Sequence, residues 1–163
     1  MQFERAHDFG GSVEAVARIM SDPDFQTALE LPDLSRPTVV AHDVDGAAHR
    51  LTLRYQYVGQ LDPIAQKVVG GRAITWVQDL KLDVATGAGT LTFTADGVAG
   101  RADGSATVAI SATGDGASRR RIRGEFRVRI PLVGGKAERA IVPGLERRLD
   151  VEADAVAAAL GSP

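Results

Sequence analysis

The chain has 163 residues, 21 acidic side chains against 19 Lys and Arg, a formal net charge of −2 and a pI near 5.9; this length fits one domain that buries roughly 70% of the surface its unfolded form exposes, and the charge balance offers no basic field for nucleic acid or an anionic membrane surface. The absence of cysteine excludes disulfides, thiol nucleophiles and thiolate metal sites. The first residues enter polar–apolar alternation with no apolar leader core, and no 18-residue apolar run occurs, so the chain is read as cytoplasmic with no stable membrane insertion.

Phe3, Arg5, His7 and Phe9 alternate with Gln2, Glu4, Ala6 and Asp8, the period of a strand over residues 2–9 with one covered face. Gly10-Gly11 breaks it, Ser12 supplies an N-cap, and Val13, Val16, Ala17 and Met20 follow at helical spacing. Asp22-Pro23 sets up a second short helix through Phe25, Ala28 and Leu29. Strands are expected near 38–44 and 49–58, joined by an Asp45-Gly46 turn. A short helix then spans Leu61 to Gly70, with apolar residues at Leu61, Ile64 and Val68, an Asp62 cap and Pro63 at its first position; it is a candidate lid.

Further strands are expected at 73–84, 90–95, 105–112 and 119–130. In the last, Arg119, Arg121, Arg123, Glu125, Arg127 and Arg129 alternate with Arg120, Ile122, Gly124, Phe126, Val128 and Ile130, as in an antiparallel sheet with one solvated face. After Pro131, the residues Ala137, Ile141, Leu145, Leu149, Ala153, Val156 and Leu160 form one helical stripe opposite Glu138, Arg139, Glu146, Arg147 and Asp150. Pro143 removes a backbone donor there, so a kink or break is expected near residue 140.

This order resembles the START, polyketide-cyclase-like (SRPBCC) superfamily over the whole chain. The carriers are Phe9-Gly10-Gly11 closing strand one, the Ser12-Val13-Glu14-Ala15-Val16 helix start, the Trp76 strand, and the terminal stripe through Ile141, Leu145 and Leu149. The branch it suggests is actinobacterial. The resemblance implies an α+β helix-grip fold: a seven-stranded curved antiparallel sheet around a long C-terminal helix, two short helices after strand one, and an apolar cavity between sheet and helix. These features are architectural, so they imply an activity only by analogy. The physics points the same way, because one helix about 10 Å wide cannot cover a seven-stranded sheet, and small residues such as Gly124 and Ala106 leave room inside.

Arg5 and His7 share a strand face with Phe3 and Phe9, so they either form the polar end of an apolar cavity, facing a ligand carboxylate, hydroxyl or carbonyl, or reach water at a strand edge. Tyr55, Tyr57, Trp76, Gln78, Phe93 and Phe126 occupy the inward register of their strands and either line the cavity or pack as ordinary core; Ile141 and Leu145 face them from the terminal helix. An Asp45-Gly46 turn would set His42 opposite His49, too few ligands for a structural metal site. The Arg119-Arg120-Arg121-Ile122-Arg123 run reads as a solvated sheet face, with Arg119, Arg121 and Arg123 outward, and Gly87-Ala88-Gly89 and Gly114-Asp115-Gly116 read as hairpin turns.

No nucleophile elbow or metalloprotease spacing occurs, and no carboxylate falls on the inner face of a strand. The expected function is therefore binding or transport of a hydrophobic small molecule, such as a lipid, fatty acid or polyketide, with no cofactor, metal or nucleic acid. The alternative is a cyclase or dehydratase in the same cavity, with Arg5, His7 and a tyrosine in acid–base or oxyanion roles.

Overall fold

The computed structural model describes residues 1–97 and 101–161, except for the side chains of Ile64 and Val68. In chain order the elements are β1 (Gln2–Phe9), α1 (Val13–Met20), α2 (Pro23–Ala28), β2 (Thr38–Asp45), β3 (Ala48–Gln56), α3 (Pro63–Val69), β4 (Thr75–Asp83), β5 (Ala88–Ala95), β6 (Ala102–Gly114), β7 (Ala117–Val128) and α4 (Gly134–Gly161). The strands form one antiparallel sheet in the order β1-β7-β6-β5-β4-β3-β2. The segment with α1 and α2 carries the chain from one sheet edge to the other, and a meander returns it beside β1. α4 then crosses the covered face, packing on β1, β7 and α1. This is the expected α+β helix-grip arrangement.

The helix starts follow from capping chemistry. The Ser12 hydroxyl accepts a hydrogen bond from Ala15 N at 3.1 Å, Asp22 from Asp24 N at 2.9 Å with Pro23 behind it, and Asp62 from Ala65 N at 2.8 Å. Each cap satisfies a backbone donor that the helix cannot. The strands bury alternate residues, so Leu51, Leu53 and Tyr55 of β3 join Leu80 and Leu82 of β4, Leu91 and Phe93 of β5, and Ala106, Val108 and Ile110 of β6 on the inner face.

On the outer face the arginines are matched by carboxylates. Arg119 meets Asp8, Arg121 and Arg123 meet Glu4, Arg127 meets Glu125, and Arg129 meets Asp103. These exposed pairs are each worth little in stability, but they neutralise what reads in sequence as a basic run.

Several expectations are corrected. The β2–β3 turn is Gly46-Ala47, because Asp45 pairs with Ala48 and the glycine with φ of 58° takes the first turn position. His49 consequently pairs with Val44 and His42 with Leu51, so the imidazoles are diagonal neighbours. Gly87 lies in the β4–β5 turn, whereas Ala88-Gly89 already belong to β5. Of the kink or break expected near residue 140, the break does not occur: the last helix runs from residue 134 to 161 through Pro143. Its buried residues are Gly134, Val142, Arg148, Leu149, Glu152, Ala153 and Val156, while Leu145 is half-buried and Ile141 is 42% exposed. The stripe is thus rotated from the expected one at its N-terminal end. Gly124 is small because β6 approaches closely: a Cβ there would lie 2.3 Å from the Ser105 carbonyl oxygen.

Candidate functional site

One row of paired residues crosses the inner face of the sheet as Phe126, Gly104, Phe93, Gln78 and Leu53. At Gly104 an added Cβ would meet Phe126 Cδ2 at 2.9 Å and Phe93 Cδ2 at 3.2 Å, so the missing side chain is what lets the two rings converge. The next inward row pairs Tyr55 with Trp76, whose rings stack with centroids 5.6 Å apart. Of the chain's eight aromatic residues, Tyr55, Trp76, Phe93 and Phe126 therefore occupy two adjacent rows. Trp76 and Phe126 are half-buried there, as is Leu145 of α4, which packs against the same core cluster, in contrast with the closed core around Val16, Ile122 and Val156.

Arg148 of α4 lies over this end. Its guanidinium sits 4.8 Å from the Tyr55 ring centroid, and Nη2 donates to the Tyr55 hydroxyl at 3.0 Å. Arg148 is 5% exposed and Gln78 4%. Neither is fully partnered: Arg148 Nε and Nη1 and Gln78 Oε1 have no hydrogen-bond partner among the described residues. Such orphan groups cost roughly 1–3 kcal/mol each when dry, so they mark a place where something polar is expected.

A second polar cluster ties α4 to β7, β1 and α2. Arg120, fully buried, donates from Nη1 to Glu152 Oε1 and from Nη2 to the Leu149 carbonyl at 3.0 Å. Nη2 also lies 3.1 Å from His7 Nδ1. A guanidinium can only donate, so Nδ1 is the acceptor, the His7 proton sits on Nε2, and Nε2 donates to Asp150 at 2.9 Å. Gln26 Nε2 donates to the Met20 carbonyl at 2.9 Å and to Glu152 Oε2 at 3.4 Å. Glu152 Oε2 is also 4.0 Å from Arg148 Nη2.

These contacts redistribute the expected roles. Arg5 is half-exposed and pairs with Asp150 at 3.3 Å and Glu146 at 3.6 Å, so its partners are carboxylates of α4. His7 serves the Arg120 cluster. Tyr57 lies beyond β3 and donates to the Gln60 carbonyl at 3.2 Å, within its own loop. Tyr55, Trp76, Gln78, Phe93 and Phe126 share two adjacent inward rows of the sheet, Leu145 packs against the same core cluster as Trp76, Phe93 and Phe126, and Ile141 lies exposed on α4. The residues missed in sequence are Arg120, Arg148 and Glu152. Alternation places Arg120 inward, and that was the available signal; Arg148 and Glu152 flank the helical stripe without marking themselves.

His49, on the covered face near α1, lies 3.1 Å from the Ser21 hydroxyl. Burial, with Arg18 and His42 nearby, holds its pKa below the usual histidine value. Elsewhere an open groove of about 470 Å³ runs along the β2–β3 and β4–β5 hairpins, lined by residues that include Asp43, Asp45, Arg50, Lys81 and Asp83. Its mixed charges favour no single ligand class. Among the described residues no three His, Asp or Glu side chains gather as a metal site, and no helix is long and apolar enough to cross a membrane.

Solved structures share the fold. The chain is similar to TTHA0849 from Thermus thermophilus, with a TM-score of 0.67 and 16% identity over 99% of this chain and 100% of that one. It is similar to the Zhui aromatase/cyclase from Streptomyces sp. R1128, with a TM-score of 0.65 and 15% identity over 97% and 92%. Norcoclaurine synthase from Thalictrum flavum, solved in complex with dopamine and hydroxybenzaldehyde, aligns with a TM-score of 0.64 and 15% identity over 98% and 86%. At such identities the likeness is one of fold alone. Comparison with curated protein sequences finds no match. A family model does match, over residues 4–160, and the chain accordingly belongs to the family described as protein of unknown function DUF2505.

Proposed function

We propose that this protein binds a small hydrophobic molecule between the inner face of the sheet and α4, at the end lined by Tyr55, Trp76, Gln78, Phe93, Phe126 and Leu145. The observation that carries the reading is the set of buried, unpartnered polar atoms on Gln78 and Arg148 beside half-buried aromatic rings. Apolar walls with a few convergent polar groups are what small-molecule sites are made of. The helix-grip neighbours support it by analogy, since one of them was solved with two aromatic ligands.

α3 lies in the connection from β3 to β4, at the end of the sheet where Tyr55 pairs with Trp76. We assign it the role of lid over that end. Native mass spectrometry of protein isolated from its own host tests the binding reading: a retained small molecule, released on denaturation, is expected, and a uniformly bare protein in each preparation would count against it.

One contact favours a second reading, a cyclase or dehydratase at the same place. Arg148 occupies the Tyr55 hydroxyl as acceptor, which leaves the phenolic proton free to be donated to a bound carbonyl. Turnover of a bound enone or polyketide that fails in Tyr55→Phe would select this reading over simple carriage.

A further inference from the structure

We infer that the molecule held at this site is an anion, an aromatic carboxylate whose charge completes Arg148. The inference rests on the binding reading above and adds the chemical class of the ligand. It starts from the charges enclosed between α4 and the sheet. Among the described residues two guanidiniums, Arg120 and Arg148, have side chains 0% and 6% exposed, and one carboxylate, Glu152, is equally enclosed at 5%.

That carboxylate is already committed. Its Oε1 accepts from Arg120, its Oε2 accepts from Gln26, and Arg148 is left at the outer limit of an ion pair, 4.0 Å. The nearby carboxylates face the other way: Asp150 pairs with His7 and Arg5, and Glu146 with Arg5. His7 contributes no compensating negative charge. The enclosed set therefore holds one positive charge in excess, located on the guanidinium that retains three unused N–H donors, one on Nε and two on Nη1.

Water can satisfy those donors, but it cannot supply the missing charge, and an uncompensated buried cation is costly. A carboxylate does both, because charge-assisted hydrogen bonds from a guanidinium are the strong ones. The aromatic part of the assignment follows from the surroundings. Arg148 stacks on Tyr55, Tyr55 stacks on Trp76, and Phe93 and Phe126 close the neighbouring row, so a flat ring finds flat partners.

The test is isothermal calorimetry with 2-naphthoic acid and methyl 2-naphthoate on the wild type, Arg148→Met and Arg148→Lys, each variant first confirmed folded by its melting transition. The acid should bind the wild type more tightly than the ester. Arg148→Met should weaken the acid at least about thirtyfold, the effect of cutting one member of a desolvated charge pair, and change the ester less than about threefold. Arg148→Lys should keep the preference for acid. An ester that binds the wild type as well as the acid does, or equal losses of both ligands in Arg148→Met, would overturn the anion assignment and leave the binding reading standing. Failure of both probes to bind the wild type would instead remove the binding reading beneath it.

Discussion

Changing Glu152 to Gln removes the one carboxylate that, among the described residues, is enclosed with Arg120 and Arg148, while keeping the side chain's shape. The wild-type cluster carries two cations against one anion; the variant carries two cations against none. Breaking a buried ion pair by deleting one partner costs about 3–5 kcal/mol, chiefly because the surviving charge stays desolvated. Among the described residues no carboxylate stands in as a substitute, since Asp150 and Glu146 are engaged at the more exposed side of α4 by His7 and Arg5.

Stabilities of domains this size are about 5–15 kcal/mol, so the loss is a large share of the total. With a urea m-value of about 2 kcal/mol/M, the unfolding midpoint should fall by about 1.5–2.5 M at unchanged m. The converse changes should be milder. Arg120→Met leaves Glu152 free to pair with Arg148, and Arg148→Met leaves the Arg120–Glu152 pair intact, so the expected order of stability is Arg148→Met, then Arg120→Met, then Glu152→Gln. Urea titration followed by circular dichroism measures it. A Glu152→Gln midpoint equivalent to a loss under about 1 kcal/mol would show that the guanidiniums reach water, and the argument from enclosed charge would collapse.

Leu149→Ala should cost about 2–5 kcal/mol, as deep cavity-forming changes do, whereas Ile141→Ala should stay within about 0.5 kcal/mol; equal costs by urea titration would mean that α4 is docked on the other phase of its stripe. Because burial lowers the folded-state pKa of His49, the native protein binds fewer protons there than the unfolded chain does, so this contribution is fully present above about pH 6.5 and is lost as pH falls through the folded value. Stability measured from pH 7.5 to 5 should therefore drop less in His49→Gln than in the wild type, and parallel curves would contradict the assignment. Amide exchange in α3 should slow when 2-naphthoic acid saturates the protein, and unchanged exchange at saturation would remove its role as a lid.

Where one local rule decides, residues and structure agree. Ser12, Asp22 and Asp62 each cap the helix that follows them, and the alternation of β1 over residues 2–9 matches the strand end to end. The disagreements fall where two local solutions are nearly equal. Asp45-Gly46 and Gly46-Ala47 both make a two-residue turn, and only the pairing of β2 with β3 selects the second. Ile141 and Val142 are adjacent apolar residues on a helix, so the stripe can start on either, and packing buries Val142.

The proposed site is legible on the sheet and obscure on the helix. Trp76, Gln78 and Phe93 declare their face by period two, but Arg148 and Glu152 look like ordinary polar flanks of an amphipathic helix until the sheet is placed beneath them. Arg120 shows the limit differently. Inside a run of arginines its inward register is readable, yet nothing local says that a carboxylate 32 residues later meets it.

The measurement that bears most directly on ligand binding inside the grip is a two-dimensional nitrogen–proton NMR titration with 2-naphthoic acid. Trp76 is the chain's single tryptophan, so its indole N–H gives one unambiguous signal at the proposed site. That signal and the α4 amides from Val142 to Ala153 should shift together and saturate at one equivalent, while outer-face amides such as Thr107 and Arg123 stay in place. Shifts confined to the groove around Asp43, Arg50, Lys81 and Asp83, with the Trp76 indole unmoved at saturation, would contradict the account.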